Sequence, residues 1–352
     1  MTENSLIIFT RASQMLAEAN TIQKTKELKD LALTAADWAR RKGMGKEAIQ
    51  YANSYALAAE HKMGQLLQET ERANVERDNK RAELLSVTPP PTLTELGITR
   101  RDSSEAQKLA KMPDELFEEV CQGKKARAAA KKEMRNREIA EAKAEIAKVG
   151  ALVAPDERWH IYQGDIATWQ APKLYDFIIT DPPYSKTYLP LWEILAQRSI
   201  EWLKPGGLLI AMSGQSYLDK IYAILSKHME YYWTACYLTL GHPTPLRQVN
   251  VNTTWKPLLI YSKGKYTGRS FGDVFKSGGN DKEYHKWGQS VSGMSDIISK
   301  ICLAGQYILD PFCGAGTTGI AALRHGCLFD GLELDTENVK ISRARIASND
   351  KT

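Results

Sequence analysis

The stretch Leu174–Tyr184 reads LYDFIITDPPY and places an apolar run directly before Asp181. A short apolar run of this kind is typical of a strand that is buried on both faces of a parallel sheet. A second such run, Gln306–Leu309, leads into Asp310–Thr318, which reads DPFCGAGTT. Because ligands bind at the carboxyl ends of strands in an open α/β sheet, the two stretches predict one crevice that is built from distant parts of the chain.

Strands and helices alternate on both sides of these stretches, from about residue 150 onward. The predicted strands are Arg158–Gln163, Leu174–Thr180, Leu208–Met212, Tyr307–Asp310 and Leu328–Leu334. The predicted helices are Pro190–Leu203, Ser292–Leu303, Thr317–His325 and Thr336–Ala347. This alternation predicts an α/β fold with a mostly parallel sheet.

Two features interrupt the alternation. Tyr231–Leu240 and Trp255–Tyr261 are predicted strands joined by a polar loop, which indicates an antiparallel pair at an edge of the sheet. The segment Ser262–Tyr284 is rich in glycine and poor in aliphatic residues. Irregular segments of this length inside a compact domain are usually functional or disordered, so this excursion is a candidate binding region.

Residues 1–148 are predicted to be helical, because Ala, Glu, Lys, Arg and Gln dominate their composition. Within them, Thr92–Ile98 predicts a short helix, Gly97–Thr99 a turn and Arg100–Lys111 a second helix, which is the outline of a helix-turn-helix. A helical hairpin that only packs gives the same pattern. We therefore expect a helical domain over 1–123 with this motif at 92–112, a charged connecting helix over 124–150, and an α/β domain over 151–352 with the excursion at 262–284.

The connecting segment is strongly basic at its start. Between Lys124 and Arg137 seven basic residues face a single acid, Glu133. Such a run binds phosphates in some proteins and is a solvated helix face in others.

Composition and charge limit the class of protein. The chain is 43% hydrophobic and 25% charged, and it has no apolar run of membrane-spanning length and no secretory signal at Met1–Asn4. Its five cysteines are scattered without metal-ligand spacing, which predicts a reducing cytoplasm, no disulfide framework and no metal site. A net charge of +5 permits a nucleic-acid partner without requiring one.

The second stretch has the features of a nucleotide site. Gly314 and Gly316 let the backbone turn sharply and approach a ligand before a helix begins at Thr317, where free N–H groups are available as donors. The next strand carries Glu333, an acid placed as in βαβ units that bind ribose hydroxyls. A Gly-x-Gly pair alone is often only a tight turn, but the flanking residues favour a nucleotide-like cofactor.

The first stretch is rich in hydrogen-bond acceptors. Pro182 and Pro183 lack backbone N–H groups and fix the chain, so Asp181 and the proline carbonyls can only accept. The exocyclic amine of a nucleobase is a donor, and a carboxylate with a carbonyl accepts both of its hydrogens. Tyr184 adds a ring face on which a base stacks.

Together, the DPPY and DPFCGAGTT stretches resemble the amino-methylating DNA methyltransferases that use S-adenosylmethionine, in the β-group order in which the catalytic motif comes first. The resemblance covers about residues 157–348. It implies a Rossmann-like seven-stranded methyltransferase sheet with an antiparallel edge hairpin, here preceded by an all-helical N-terminal domain. A stretch at residues 97–104 resembles the helix-turn-helix regions of phage and plasmid proteins.

The resemblance also implies roles for individual residues. In the catalytic group, Asp181 and the Pro182 carbonyl hold the target amine next to Pro183, and Tyr184 stacks on the flipped base. The residues implied to bind S-adenosylmethionine are Asp310, Phe312, Gly314, Gly316 and Thr317 around the methionine part, Glu333 at the ribose, Asp165 at the adenine, and His285 and Gln289 in a motif that opens a helix. Asp at the first catalytic position favours adenine N6 as the methyl acceptor.

The implied partner is double-stranded DNA, and a homodimer is a further expectation. The excursion, with Lys263, Lys265, Arg269, Lys276 and Lys282, and the loop Gly241–Asn252 are candidates for DNA recognition. The polar side chains of that loop equally fit a role in capping a hairpin. Because the excursion is short, we expect the helical N-terminal half to contribute to DNA binding.

Three other functions stay open on the sequence alone. They are methylation of cytosine N4, methylation of RNA or of a protein amide, and a DNA-binding regulator that binds cofactor without turnover. In the RNA and protein enzymes the cofactor motif usually comes first, whereas here it comes last.

Overall fold

A computed structural model describes residues 12–70, 91–154, 156–239, 243–247, 249–278 and 290–349 of the 352-residue chain. The chain divides into two compact units between residues 139 and 140. Each unit has its own hydrophobic clusters.

The N-terminal unit is helical. Its helices are α1 (Ile22–Arg41), α2 (Lys46–Glu69), α3 (Arg100–Ala110), α4 (Asp114–Cys121) and α5 (Arg127–Ala151), and α5 continues beyond the division. Helices α2 and α3 approach closely because Gly64 has no side chain, and a Cβ there would lie 2.0 Å from the Ala106 carbonyl oxygen. Met63, Leu67 and Ile98 are buried around this crossing.

The segment that precedes α3 differs from the prediction. Residues 93–97 form a single turn, in which the Leu96 amide donates to the Thr92 carbonyl at 3.1 Å, rather than a helix. Gly97 has a φ of +68°, which ends the turn, and Thr99 then caps α3 by accepting from the Asp102 amide at 3.0 Å. The second half of the predicted motif is therefore present as a helix, whereas the first half has too few residues to form one.

The basic run from Lys124 to Arg137, at and before the start of α5, is partly paired with acids and partly exposed. Arg127 donates to both carboxylate oxygens of the buried Glu60, at 2.8 and 2.6 Å, and Lys131 pairs with Glu105. Lys125 pairs with Glu119 and Glu133. Arg127, Lys131 and Lys125 therefore neutralise acids of their own unit, whereas Lys124, Lys132 and Arg135 are exposed. The partners of Arg127 and Lys131 could not be predicted from sequence, because they lie 67 and 26 positions away.

The C-terminal unit contains an eight-stranded sheet with the order β1-β10-β9-β2-β3-β7-β4-β8. The strands are β1 (Trp159–Gln163), β2 (Tyr175–Thr180), β3 (Leu203–Met212), β4 (Glu230–Leu238), β7 (Trp255–Ser262), β8 (Val274–Lys276), β9 (Tyr307–Asp310) and β10 (Leu328–Glu333). Strand β7 is antiparallel to both of its neighbours, and the other pairs are parallel. A separate two-stranded hairpin joins β5 (Thr244–Leu246) to β6 (Val251–Thr253).

The mostly parallel α/β sheet is as predicted, but its strand count is not. The resemblance implied seven strands, and the three-residue β8 adds an eighth beyond the antiparallel pair β4 and β7. Strand β3 also begins at Leu203 rather than Leu208, because Lys204–Gly207 continues the strand with an irregular register against β2.

Helices cover both faces of this sheet. They are α6 (Leu189–Trp202), α7 (Leu218–Leu225), α8 (Val291–Ile301), α9 (Thr317–Arg324) and α10 (Thr336–Asn349). Along β2, Phe177 and Ile179 are buried with α8, α9 and α10, whereas Ile178 is buried with α6 and α7. This alternation explains why the strand is apolar at nearly every position.

None of the helices in the described part of the chain has the length and apolar character of a membrane span. The same residues contain no group of His, Cys, Asp and Glu side chains that could hold a metal ion.

Candidate active site

The carboxyl ends of four neighbouring strands bring the predicted site residues to one edge of the sheet. Strands β2 and β9 are paired in parallel with Ile178 opposite Leu309, so the segments after Thr180 and Asp310 leave the sheet side by side. On the other side of β9, the ends of β10 and β1 lie together, with Glu333 opposite Gln163. After β2 the chain continues to β3 on one side, and after β9 it continues to β10 on the other side. The boundary between β9 and β2 is therefore a topological switch point, where doubly wound sheets bind ligands.

A buried hydrogen bond joins the two stretches directly. The Thr180 hydroxyl donates to Asp310 Oδ1 at 2.7 Å. Asp310 Oδ1 also accepts from the Phe312 amide at 3.0 Å, and Oδ2 accepts from the Thr318 hydroxyl at 2.6 Å. Asp310 is therefore committed to organising the turn that follows it. Burial raises the pKa of this carboxyl to about 6, although its three donors lower it.

The glycine turn, residues 311–316, has the backbone that its glycines predict. Gly314 and Gly316 have φ values of +53° and +78°, in the left-handed region. Gly316 is also crowded, because a Cβ there would lie 3.0 Å from the Ser342 Cβ. Helix α9 begins directly after it at Thr317.

Glu333 closes this turn from the neighbouring strand. Its Oε2 accepts from the Gly314 amide at 2.8 Å, and its Oε1 accepts from the Asp335 amide at 2.9 Å. Asp165 follows the adjacent strand end, is exposed, and accepts from the Ala167 amide at 2.8 Å. Glu333 thus lies against the glycine turn, and Asp165 follows the end of the strand next to that of Glu333. Carboxylate oxygens can accept from ribose hydroxyls and from an adenine amine.

The catalytic turn, residues 181–184, presents acceptors as its prolines predict. The Pro183 carbonyl accepts from the indole Nε1 of Trp192 on α6, at 3.3 Å. The Pro182 carbonyl accepts no hydrogen bond from any residue in the described part of the chain. Asp181 lies close enough to Asp310 for its charge to raise the pKa of that carboxyl.

Tyr184 is held from a strand that sequence reasoning did not include in the site. Lys256, the second residue of β7, donates from Nζ to the Tyr184 hydroxyl oxygen at 2.9 Å. The same nitrogen lies 4.0 Å from Asp181 Oδ2 and 5.4 Å from the centre of the Tyr184 ring. Gly214 lies against this ring, since a Cβ there would be 3.0 Å from Tyr184 Cδ2.

Burial and nearby charges shift the pKa values of Tyr184 and Lys256. Burial raises the pKa of Tyr184, and the charge of Asp181 raises it further. Burial lowers the pKa of Lys256, but Asp181 and Tyr184 outweigh this effect, and the net pKa is raised. At neutral pH the hydroxyl is therefore neutral and the amine is charged.

Four residues that were not predicted as site residues form hydrogen bonds with the two turns or with Asp310. Thr180 and Thr318 bind Asp310, Lys256 binds Tyr184, and the Arg345 guanidinium binds the Ala315 carbonyl. Lys256 left one usable signal, since it is a lone charged residue at the start of the otherwise apolar strand Trp255–Ser262. Arg345 left none, because basic residues are common on the outer faces of helices.

Other predicted residues have different outcomes. His285 and Gln289 lie outside the described residues. In the excursion, Lys263 and Arg269 donate to the carbonyls of Leu203 and Ser299, whereas Lys265 is exposed. In the polar loop, Gln248 lies outside the described residues and Asn250, with a φ of +55°, belongs to the turn of the β5–β6 hairpin.

Part of the C-terminal unit is similar in sequence to known proteins. Residues 175–344, slightly less than half of the chain, match the N6/N4 methyltransferase family of DNA methylases. Over 91 residues, 24% of this chain and 34% of the other, the chain is 37% identical to the type II methyltransferase M2.DpnII of Streptococcus pneumoniae. Over 85 residues, 22% of this chain and 31% of the other, it is 38% identical to M2.LlaDCHI of Lactococcus lactis subsp. cremoris.

The chain spans about a third of the length of these two relatives. Among solved structures, the M1.HpyAVI complex with S-adenosylmethionine aligns with a TM-score of 0.45 and 24% identity, over 53% of this chain and 98% of that one. By sequence, the C-terminal unit is similar to DNA methylases over residues 175–344.

Proposed function

We propose that this chain is a site-specific DNA methyltransferase that transfers a methyl group from S-adenosylmethionine to the N6 amine of an adenine. One observation carries the proposal, the 2.7 Å hydrogen bond from Thr180 to Asp310. It joins a turn of acceptors to a glycine turn of nucleotide-binding type at a single sheet edge. An amine held by the first turn therefore lies next to a cofactor held by the second.

The cofactor is S-adenosylmethionine, which supplies a methyl group already activated on a sulfonium. The glycine turn approaches its methionine part, and Glu333 and Asp165 accept from its ribose and adenine. The remaining task of the chain is to align the amine nitrogen with the methyl carbon and to stabilise the charge that moves to the nitrogen. That task is positioning and electrostatics, for which fixed acceptors suffice.

The catalytic turn holds the amine. The Asp181 carboxylate and the Pro182 carbonyl accept its two hydrogens, which withdraws the nitrogen lone pair from conjugation with the ring and directs it at the methyl carbon. Tyr184 supplies the stacking surface for a base that has left the duplex, a contact worth about 1–3 kcal/mol. Adenine is favoured over cytosine because the first residue of the turn is an acid.

The test is transfer of labelled methyl groups to unmodified plasmid DNA, followed by digestion to nucleosides and mass spectrometry. We expect label in N6-methyl-2′-deoxyadenosine. Label in N4-methyl-2′-deoxycytidine would mean that the enzyme methylates cytosine N4 instead of adenine N6. Label only in RNA or protein would exclude DNA as the substrate, and cofactor binding without transfer would favour the regulator.

We further propose that helix α3 of the N-terminal unit binds duplex DNA. Its buried residues Ser103, Ala106 and Leu109 lie on one side, and the side turned away from them is exposed and basic. That exposed face consists of Arg100, Arg101, Ser104, Lys108 and Lys111. None of these five residues is acidic, and Glu105 on the flank of the face is paired with Lys131 and Arg127. A helix of 11 residues is about 16 Å long, which suits a DNA groove.

The double variant Arg101→Glu/Lys108→Glu tests this face in the full chain. If each cation meets one phosphate, the slope of log affinity against log salt becomes less steep by about 2. The matched control, Lys132→Glu/Arg135→Glu, changes the same charge at exposed positions of α5. Equal losses in the two variants would mean that only net charge matters and would exclude a specific α3 contact.

A further inference from the structure

Lys256 places a cation inside the proposed amine site. Its Nζ is 2.9 Å from the Tyr184 hydroxyl oxygen and 4.0 Å from Asp181 Oδ2. A carboxylate that must accept from an incoming amine is therefore close to a permanent competitor, since an ammonium has three donors and forms strong hydrogen bonds with carboxylates. Something must keep the ammonium from occupying the acceptor.

The Tyr184 hydroxyl is in the position to do this. It is the nearer partner of Lys256, and it also interacts with the Asp181 carboxylate. The hydroxyl is neutral at neutral pH, so its oxygen accepts from the ammonium while it keeps its own proton. Burial and the charge of Asp181 raise the pKa of Tyr184 and so oppose loss of that proton. Stacking of a base needs only the aromatic ring, which phenylalanine also has, so the oxygen has a separate purpose.

We infer that the Tyr184 hydroxyl is a spacer that binds the Lys256 ammonium and holds it away from Asp181, so that the carboxylate stays available to the amine of the substrate. Lys256 is in this sense a positioning residue that fixes the Tyr184 ring through its oxygen. It does not accept the proton released from the methylated amine, because a charged ammonium has no lone pair. The inference rests on the proposed function of Asp181 as the amine acceptor.

Removing only the oxygen distinguishes the spacer from the stacking ring. In Tyr184→Phe the ring remains, but Lys256 loses its partner while still 4.0 Å from the carboxylate. A lysine side chain has four flexible bonds, so the ammonium closes this gap and pairs directly with Asp181. The variant is then blocked by an ion pair. Removing that ammonium as well, in Tyr184→Phe/Lys256→Met, frees the acceptor again.

The experiment compares the full-length parent, Tyr184→Phe, Lys256→Met and the double variant for methyl transfer to unmodified plasmid DNA, with cofactor affinity measured by calorimetry. The free energy of one charged hydrogen bond, if it must be broken before the amine binds, lowers a rate by roughly 10- to 100-fold. We therefore expect kcat to fall by about that factor in Tyr184→Phe. We expect a decrease below about tenfold in Lys256→Met. The double variant should recover to the level of Lys256→Met, with cofactor affinity unchanged throughout.

Tyr307→Phe is the matched control. Tyr307 also lies beside a lysine, with Lys173 Nζ 4.6 Å from its ring centre, but at the opposite end of the sheet. The methyl-transfer activity of Tyr307→Phe should equal that of the parent. A double variant no more active than Tyr184→Phe, a fully active Tyr184→Phe, or a loss above about 100-fold in Lys256→Met would each overturn the spacer.

A crystal structure of Tyr184→Phe separates this inference from the proposed function. We expect Lys256 Nζ to move within direct hydrogen-bond distance of Asp181, whichever substrate the enzyme uses. If the parent transfers no label to DNA but the contact shortens, the proposed substrate fails and the spacer stands. If the separation stays at 4.0 Å, the spacer is overturned even when DNA is methylated.

Discussion

The two turns at the ligand-binding edge of the sheet are stabilised in different ways. The glycine turn is closed by its own residues and by the next strand, since Asp310 accepts from Phe312 and Thr318 and Glu333 accepts from Gly314. The catalytic turn has prolines in place of donors and is held from outside by Trp192 and Lys256. The glycine turn therefore gets its shape mainly from short-range contacts, whereas the turn at residues 181–184 depends on side chains from α6 and β7.

The largest expected effect removes the acceptor of the catalytic turn. Asp181→Ala takes away one of the two groups proposed to hold the amine, so methyl transfer should fall by at least about 100- to 1000-fold, as when other charge-stabilising groups are removed. Cofactor affinity should stay near that of the parent, because the glycine turn is closed independently. Calorimetry and a labelled-methyl assay measure the two effects.

Asp219→Ala, at an exposed position on α7, is the control for this change. If Asp181→Ala lost cofactor affinity as well, the two turns would not be independent.

A pH series probes the internal closure of the glycine turn. The pKa of Asp310 in the folded chain, about 6, lies above its ordinary value of 3.8, so the folded state binds this proton more tightly than the unfolded state. The free energy of unfolding contributed by this group therefore falls as the pH rises from about 4 to 6. Asp310→Asn removes this dependence while keeping an acceptor for Phe312 and Thr180.

The stability of the parent relative to Asp310→Asn should thus decrease by up to about 3 kcal/mol between pH 4 and 7, measured by urea unfolding. A difference that stays constant with pH would show that Asp310 titrates normally and that its burial does not affect the turn.

The two glycines of the turn separate backbone strain from crowding. Gly314→Ala introduces a side chain at a positive φ with open space around it, and should destabilise the fold by about 1 kcal/mol. Gly316→Ala adds a contact at 3.0 Å with Ser342 and should destabilise it by about 2–3 kcal/mol. Thermal unfolding of both variants gives the comparison, and equal losses would contradict the crowding argument.

The smallest expected effect is the loss of the single hydrogen bond from Trp192 to the catalytic turn, counted apart from the loss of packing. Trp192→Phe removes the donor to the Pro183 carbonyl and should cost about 1 kcal/mol beyond its loss of packing. Trp202→Phe, at a comparably buried position of the same helix, serves as the packing control. Urea unfolding measures both, and a smaller loss for Trp192→Phe than for Trp202→Phe would argue against a structural role for that hydrogen bond.

The contrast between the turns also explains what the sequence could predict. The glycine turn was predictable because its partners lie inside the stretch Asp310–Thr318 or at the end of the next strand, at Glu333. The buried strands were predictable because apolar residues on both faces leave a continuous run, as in Tyr175–Thr180.

Long-range partners were not predictable. Lys256 contacts Tyr184 across 72 positions of sequence, and Arg127 contacts Glu60 across 67, and neither spacing carries a local signal. The three-residue strand Val274–Lys276 was missed because it is too short to show alternation and lies in a glycine-rich segment. The role of the N-terminal unit in binding DNA stays a prediction.

The bond between Thr180 and Asp310 spans 130 positions of the chain. It forms only after β2 and β9 have become neighbours, so the two turns cannot be joined in a nascent chain that has emerged only up to residue 300. The geometry of this bond does not depend on which of the two strands is synthesised first. A chain with these segments in the reverse order would therefore keep the contact if β2 and β9 still paired in the same register.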